Sequence, residues 1–214
     1  MTAPIVGLHH VTAIAGEPQA NVDFYMDVLG LRLVKRTVNF DAPDTYHLYY
    51  GDEVGDPGTI LTFFPWPGAP KGRRGTGQVT VTSFAIPVQS IGYWTDRLTQ
   101  RGVKTESIVR RFDEDVLTLY DPDGLRLELV AHATAPTNRP WSDGPVPVLH
   151  AIRGFHGSRR IGASSRPSCR RFSCRPLQRA EMRGVLSFVH EFVPATSRGA
   201  PTLLLLHGTG QADE

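Results

Sequence analysis

The sequence has almost no cysteine: Cys169 and Cys174 are the only two in 214 residues. A disulfide framework therefore cannot carry the fold. Apolar runs of membrane length are also missing. The tail segment "TLLLLHG" from Thr202 is far shorter than the roughly 20 residues a spanning helix needs. The opening "MTAPIVGLHH" has neither a basic start nor a long apolar core, which argues against a secretory signal and makes a cytoplasmic protein the expectation. A strong overall charge is absent too, and the net +2 by itself selects no partner. What is present, 40% hydrophobic and 21% charged residues, is the composition of a globular chain of one or two compact domains.

Charge is unevenly placed. Arg159, Arg160, Arg166, Arg170, Arg171, Arg175, Arg179 and Arg183 face only Glu181 between Ser158 and Arg183, which leaves that block near +7 and the rest near −5. Such a block suits either a nucleic-acid arm or a linker. With almost no aromatics to stack on bases, the linker is the expectation, and no nucleic-acid or membrane partner is expected.

Before that block one pattern occurs twice. "GLHHVTAIAG" reads as a strand and "EPQANVDFYMDVLG" as a helix, with Val22, Tyr25, Met26 and Leu29 at three- and four-residue steps and Gly30 as its stop. "LRLVKRTVNF", "TYHLYYGD" and "GTILTFF" read as strands. After the bridge "PWPGAPKGRRGTG" the order repeats: strand "QVTVTSFAI", helix "SIGYWTDRLTQRG", then strands "VKTESIV", "EDVLTLYD" and "LRLELVA". Residues 6–64 and 78–131 are thus two copies of one βαβββ unit. The expected fold is α+β: paired βαβββ modules, placed edge to edge, forming a cupped open barrel that holds a small ligand. Residues 1–150 form that domain, 151–185 an Arg/Ser-rich linker, and 186–214 a segment not expected to be a domain by itself.

Strand alternation separates the two neighbouring histidines. Val11 and Ala13 suit packing against the helix, so His9 goes with them and His10, with Leu8 and Thr12, faces the cup. In the second unit Leu125, Leu127 and Leu129 share one face, which leaves Glu128 on the other. A mid-strand acid there is costly to bury without a partner. Thr62 takes the matching place in the first unit. Imidazole and carboxylate on neighbouring strands are ligand types for a first-row metal, and two histidines with one carboxylate suit non-haem Fe(II). His10 and Glu128 are therefore candidate metal ligands, against the plainer readings of a satisfied strand histidine and a rim acid. Phe63, Phe64, Trp66, Tyr49 and Tyr93 are candidate lining for an aromatic ligand, or ordinary core.

"GLHHVTAIAG", "DFYMDVLGLRLVKRTVNFD", "TYHLYYGDEVGDPGTILTFFPWPG" and "YDPDGLRLELV" resemble the vicinal oxygen chelate (glyoxalase/extradiol dioxygenase) superfamily, and more narrowly its ring-cleaving dioxygenases of hydroquinone-type substrates. The resemblance runs from about Gly7 to His156. It implies four modules, Fe(II) or Mn(II) as cofactor, and a dihydroxylated aromatic and O₂ as substrates. It also implies a metal ligand at His10, and roles near metal and substrate for His9 and Thr12. His9 would orient the ligand shell or relay a proton. The family's other two ligands, a histidine and a glutamate of the fourth module, have no counterpart here, and Glu128 is not at the family's ligand position.

"HAIRGFHG" resembles the opening of a third module, with His156 at the place of His9. The resemblance ends after Gly157, and "LSFVHEFVPATSRGAPTLLLLHGTG" resembles the beginning of carboxylesterase-like α/β hydrolases. The nucleophile elbow G-x-S-x-G occurs nowhere, which sets hydrolysis aside. The chain is therefore expected to be half of a dioxygenase, joined through a fusion or frame change to the first strands of a hydrolase. As an enzyme it needs a homodimer or a second chain to complete the metal site. The alternatives are a metal-free module that binds small aromatic compounds, and a remnant with no function.

Overall fold

The structure, a computed structural model, describes residues 7–69, 78–136, 138–160 and 204–207. The Arg/Ser-rich block beyond residue 160, and all of 186–214 except Leu204–His207, lie outside them. The first module contains β1 (His10–Ala15), α1 (Pro18–Val22), β2 (Arg32–Val38), β3 (Tyr46–Gly51) and β4 (Ile60–Pro65). The second contains β5 (Val79–Pro87), α2 (Ile91–Gln100), β6 (Val109–Arg111), β7 (Glu114–Tyr120) and β8 (Arg126–His132). Two further strands, β9 (Phe155–Arg160) and β10 (Leu204–His207), come after the repeat.

The duplication read from the sequence is present in the pairing. One sheet has the order β10-β1-β4-β3-β2, the other β9-β5-β8-β7-β6. In each module the first strand runs parallel to the fourth and the remaining neighbours are antiparallel. The fold is α+β with two open, cupped sheets, and neither closes into a barrel. Among the described residues no strand of one module pairs with a strand of the other. Instead β10 lies parallel along the free edge of β1 and β9 antiparallel along that of β5.

The first helical segment starts with Pro18, whose fixed φ suits a helix start. It widens into a π-helical turn over Asp23–Val28, where Leu29 N–H bonds to Phe24 C=O at 3.0 Å. The 3.6-residue spacing gives the correct buried residues, Tyr25 and Leu29, but not this widening, which also buries Phe24. Gly30 and Gly102 end the two helical segments with φ of 69° and 65°, as expected of glycine stops. The strand expected from Val103 forms as a ladder only at Val109–Arg111. Before that the chain touches β7 through separate bonds, Tyr120 N–H to Lys104 C=O and Glu106 N–H to Thr118 C=O.

The helix-facing sides of both sheets share one continuous apolar core. Val11, Ala13, Tyr25, Leu61 and Phe63 of the first module join Phe84, Trp94, Leu117, Leu127 and Leu129 of the second. Tyr25 Oη donates to Asp121 Oδ2 at 3.0 Å and Gly16 N–H to Asp123 Oδ2 at 2.9 Å, which tie the modules together. The opposite, open face of each sheet is where polar chemistry remains.

Candidate functional site

On the first sheet the ladder fixes which residues share the open face. Thr12 pairs with Thr62 and Thr62 with Tyr49, so His10, Thr12, Thr62, Phe64, His47 and Tyr49 lie together, opposite the core residues Val11, Leu61 and Leu48. Thr62 Oγ1 donates to Thr12 Oγ1 at 2.9 Å. His47 Nδ1 lies 2.9 Å from Tyr49 Oη, and its ring centroid is 4.0 Å from that of Phe64. Burial raises the Tyr49 hydroxyl above its ordinary pKa, so it remains a neutral O–H at neutral pH.

His10 is half-buried at the start of β1 on this face. His9 is not held on the opposite face as alternation predicts. It precedes the first strand residue, and its Nδ1 lies 3.0 Å from His10 Nδ1 with the rings nearly perpendicular. A hydrogen bond between two imidazole nitrogens needs one proton between them, so one ring donates and the other accepts. Of the aromatic residues read as lining, Tyr49 and Phe64 are on the open face, with Trp66 beside Phe64 at 6.3 Å between ring centroids. Phe63 is elsewhere: it is fully buried in the core against Tyr25 and Tyr50. Tyr93, on α2, stacks against His150 at 4.3 Å. His47 carried no signal in the sequence beyond alternation in "TYHLYYGD".

The donor set around His10 does not by itself fit the iron or manganese that the family resemblance implies. None of β1–β4 contains an aspartate or glutamate, so the first sheet offers imidazoles and hydroxyls but no strand carboxylate.

Glu128 sits on the second sheet, at the ladder position equivalent to Thr62. It pairs with Ser83 as Thr62 pairs with Thr12. Its side chain is 1% exposed. Ser83 Oγ donates to it at 2.8 Å, Arg111 Nη2 at 3.0 Å, and Arg159 makes a further short contact. Burial pushes its carboxyl up, but the bonds from Arg111 and Ser83 and the charges of Arg159 and Arg111 outweigh this and hold it below the ordinary carboxylate range. To bind a metal, Glu128 has to surrender these partners.

A second polar group on this sheet is absent from the sequence reading as a group. Glu114 begins β7, His132 ends β8, and His156 is on β9. Glu114 Oε1 is bonded to His132 Nδ1, and it lies 3.1 Å from His156 Nε2. Burial raises the Glu114 carboxyl, and the bonds and charge from His132 and His156 more than offset that and lower it. The absence of any histidine in "QVTVTSFAI" left the second module without one in the sequence reading. Its histidines come from the far end of β8 and from the added strand β9. The spacing from Glu128 to His132 keeps both on one strand face and is the signal that was available.

Residues 7–129 match the family described as "Glyoxalase/Bleomycin resistance protein/Dioxygenase superfamily", and the chain belongs to it. Its relatives include the "Putative ring-cleaving dioxygenase MhqO" of Bacillus subtilis (strain 168), 51% identical over 158 residues, which are 74% of this chain and 50% of that protein. The "Chlorohydroquinone/hydroquinone 1,2-dioxygenase" of Sphingobium indicum is 39% identical over 155 residues, 71% of this chain and 48% of that one. A crystal structure of a putative dioxygenase from Bacillus subtilis superposes with a TM-score of 0.68 at 50% identity, covering 72% of this chain and 49% of its own. A glyoxalase family protein from Enterococcus faecalis shares the fold at 22% identity and a TM-score of 0.50. The chain spans about half the length of the curated relatives it matches. The family match ends at residue 129, and the likeness of the tail to hydrolases rests on its sequence alone. No helix among the described residues is long and apolar enough to cross a membrane.

Proposed function

We propose that this chain contributes the first-module side of a ring-cleaving dioxygenase site that takes a dihydroxylated aromatic and O₂. The supporting observation is the open face of the first sheet, where His10 stands beside paired threonines and the aromatic group of His47, Tyr49 and Phe64. His10 is the proposed ligand of Fe(II) or Mn(II), which when bound supplies Lewis acidity and orients both reactants. The remaining ligands are proposed to come from beyond the first sheet, in a homodimer or a second chain. His9 holds the His10 ring through their shared proton, and this chain's other residues bind and orient the ring substrate: Phe64 and Tyr49 by ring contact, Thr12 and Thr62 by their hydroxyls. Residues 1–150 are proposed as the domain that carries this function.

The test is iron retention and oxygen uptake by the purified full chain with hydroquinone, beside His10→Ala. Iron bound near one per site and lost in His10→Ala is the expected result. Wild-type protein that retains no iron or manganese at micromolar concentrations excludes the reading.

The absence of a strand carboxylate on the first sheet favours one second reading, a metal-free module that binds small aromatic compounds on the same face. Under it, thermal shifts caused by hydroquinone survive excess chelator. Under the first reading, chelator removes them.

A further inference from the structure

We propose that Glu114, His132 and His156 form a binding site for one first-row divalent metal ion, separate from the face that carries His10. One ligand atom of each lies within 4.8 Å of the others. Rotation of the two partly exposed rings brings that span to the size of a bound ion, whose nitrogen and oxygen ligands sit about 2.0–2.2 Å from it. Two imidazoles and one carboxylate, with positions left open toward solvent, form a donor set for zinc, iron, cobalt or nickel rather than for magnesium or calcium.

Three features separate this group from an ordinary surface ion pair. The first is how His156 arrives. Ser83 pairs with Gly157 and Phe84 with Phe155, so His156 is the extra residue of a β-bulge in β9. Phe155 faces the core and stacks on Phe84 at 5.3 Å, and His156, beside it at the bulge, lies on the open face with its Nε2 3.1 Å from Glu114. Bulges are over-represented next to functional sites. The second is that His132 is held from behind. Its Nδ1 faces Glu114, and its Nε2 lies 2.9 Å from Thr134 Oγ1. A hydroxyl on the far nitrogen fixes ring orientation and leaves the near nitrogen for a metal, as at established histidine–metal sites. The third is the contrast with Glu128 on the same face. Glu128 is neutralised by Arg111 and Arg159, whereas among the described residues no arginine or lysine engages Glu114. Among the described residues, the side chains bonded to its carboxylate are the two imidazole rings, whose nitrogens are themselves metal-ligand types.

The experiment uses the full chain, stripped with chelator, in the His10→Ala background so that the first sheet contributes no metal binding. Zn(II) is titrated calorimetrically, and Co(II) is titrated by its visible absorption. The expected result is one Zn(II) per chain, with affinity weakened at least tenfold by Glu114→Gln or His156→Ala and about tenfold by Thr134→Val. The metal-free melting temperature of His156→Ala is measured beside that of the parent, and the variant is expected to lose the Zn(II)-induced rise whether or not that baseline moves. Two outcomes overturn the site: His10→Ala binds no Zn(II), or the added Glu114→Gln and His156→Ala changes leave binding unaltered. Neither outcome depends on ring cleavage, so failure of the dioxygenase reading leaves this site standing, and the reverse.

Discussion

Ser83 and Glu128 are hydrogen-bonded at 2.8 Å across β5 and β8, at the rung where Thr12 and Thr62 are bonded at 2.9 Å across β1 and β4. The two modules thus keep one backbone plan and one polar contact across their first and fourth strands. They differ in charge at that contact, and this difference decides what each open face must do. The threonine pair is neutral and needs nothing else. The glutamate requires Arg111 and Arg159, so its face is stabilised by an ion network.

Replacing Glu128 by Gln is expected to destabilise the fold by about 2–4 kcal/mol, since the two guanidinium groups then lose a buried counter-charge. Denaturant midpoints measure this. Glu128 is held below its ordinary pKa in the folded state, so its contribution is present above the unfolded value and disappears as pH falls through the folded one. A midpoint unchanged by the substitution at neutral pH would show that the network contributes nothing.

Asp121 has the opposite sign. Burial is the main cause that pushes its carboxyl from 3.8 up to about 6, against the bonds from Leu125 N–H and Tyr25 Oη. The folded state therefore binds its proton more tightly than the unfolded one, and stability falls as pH rises from about 4 to 6, by on the order of 3 kcal/mol. Asp121→Asn keeps a carbonyl oxygen for the backbone donors and flattens that slope. Urea titrations at several pH values between 4 and 7 test it; a slope that persists in the variant assigns it to another group.

Trp94 on α2 is fully buried, and its Nε1–H donates to His150 C=O at 2.8 Å. Trp94→Ala is expected to cost about 3–5 kcal/mol from cavity formation and an unpaired carbonyl. Trp94→Phe should cost less, because most of the ring volume remains. Equal losses for the two variants would place the stabilisation in the hydrogen bond rather than in the packing.

Gly30 combines a left-handed φ of 69° with a close approach: an added Cβ would lie 2.6 Å from Val146 Cγ2. Gly30→Ala should lower stability by about 2–4 kcal/mol from backbone strain and overpacking together. Adding Val146→Ala should recover part of that loss, a double-mutant coupling that melting curves resolve. Strictly additive effects would contradict the contact.

The repeated βαβββ unit is legible in the sequence because it depends on local signals. Alternating apolar residues in "LRLELVA", the helical spacing in "SIGYWTDRLTQ" and the glycine stops each act within a few residues. Parity also correctly placed His10 and Thr12 opposite Val11 and Ala13, since alternation is a property of the strand itself. It failed at His9, because that residue precedes the ladder and its ring is free to turn toward His10. Parity also separates Phe63 from Phe64, but which of the two meets the core is fixed only by the pairing of Thr62 with Thr12.

By itself, the sequence determined the duplicated module, the alternation of faces along β1 and β8 and the kinship with ring-cleaving dioxygenases. Its information is local periodicity together with motifs whose order along the chain is preserved. Only the tertiary structure decided that Glu128 is enclosed by arginines, that β9 and β10 take the free edges of β5 and β1, and that Glu114, His132 and His156 meet. Those contacts join residues 17 to 194 positions apart, and strand edges and bulges set them without leaving a periodic trace in the chain.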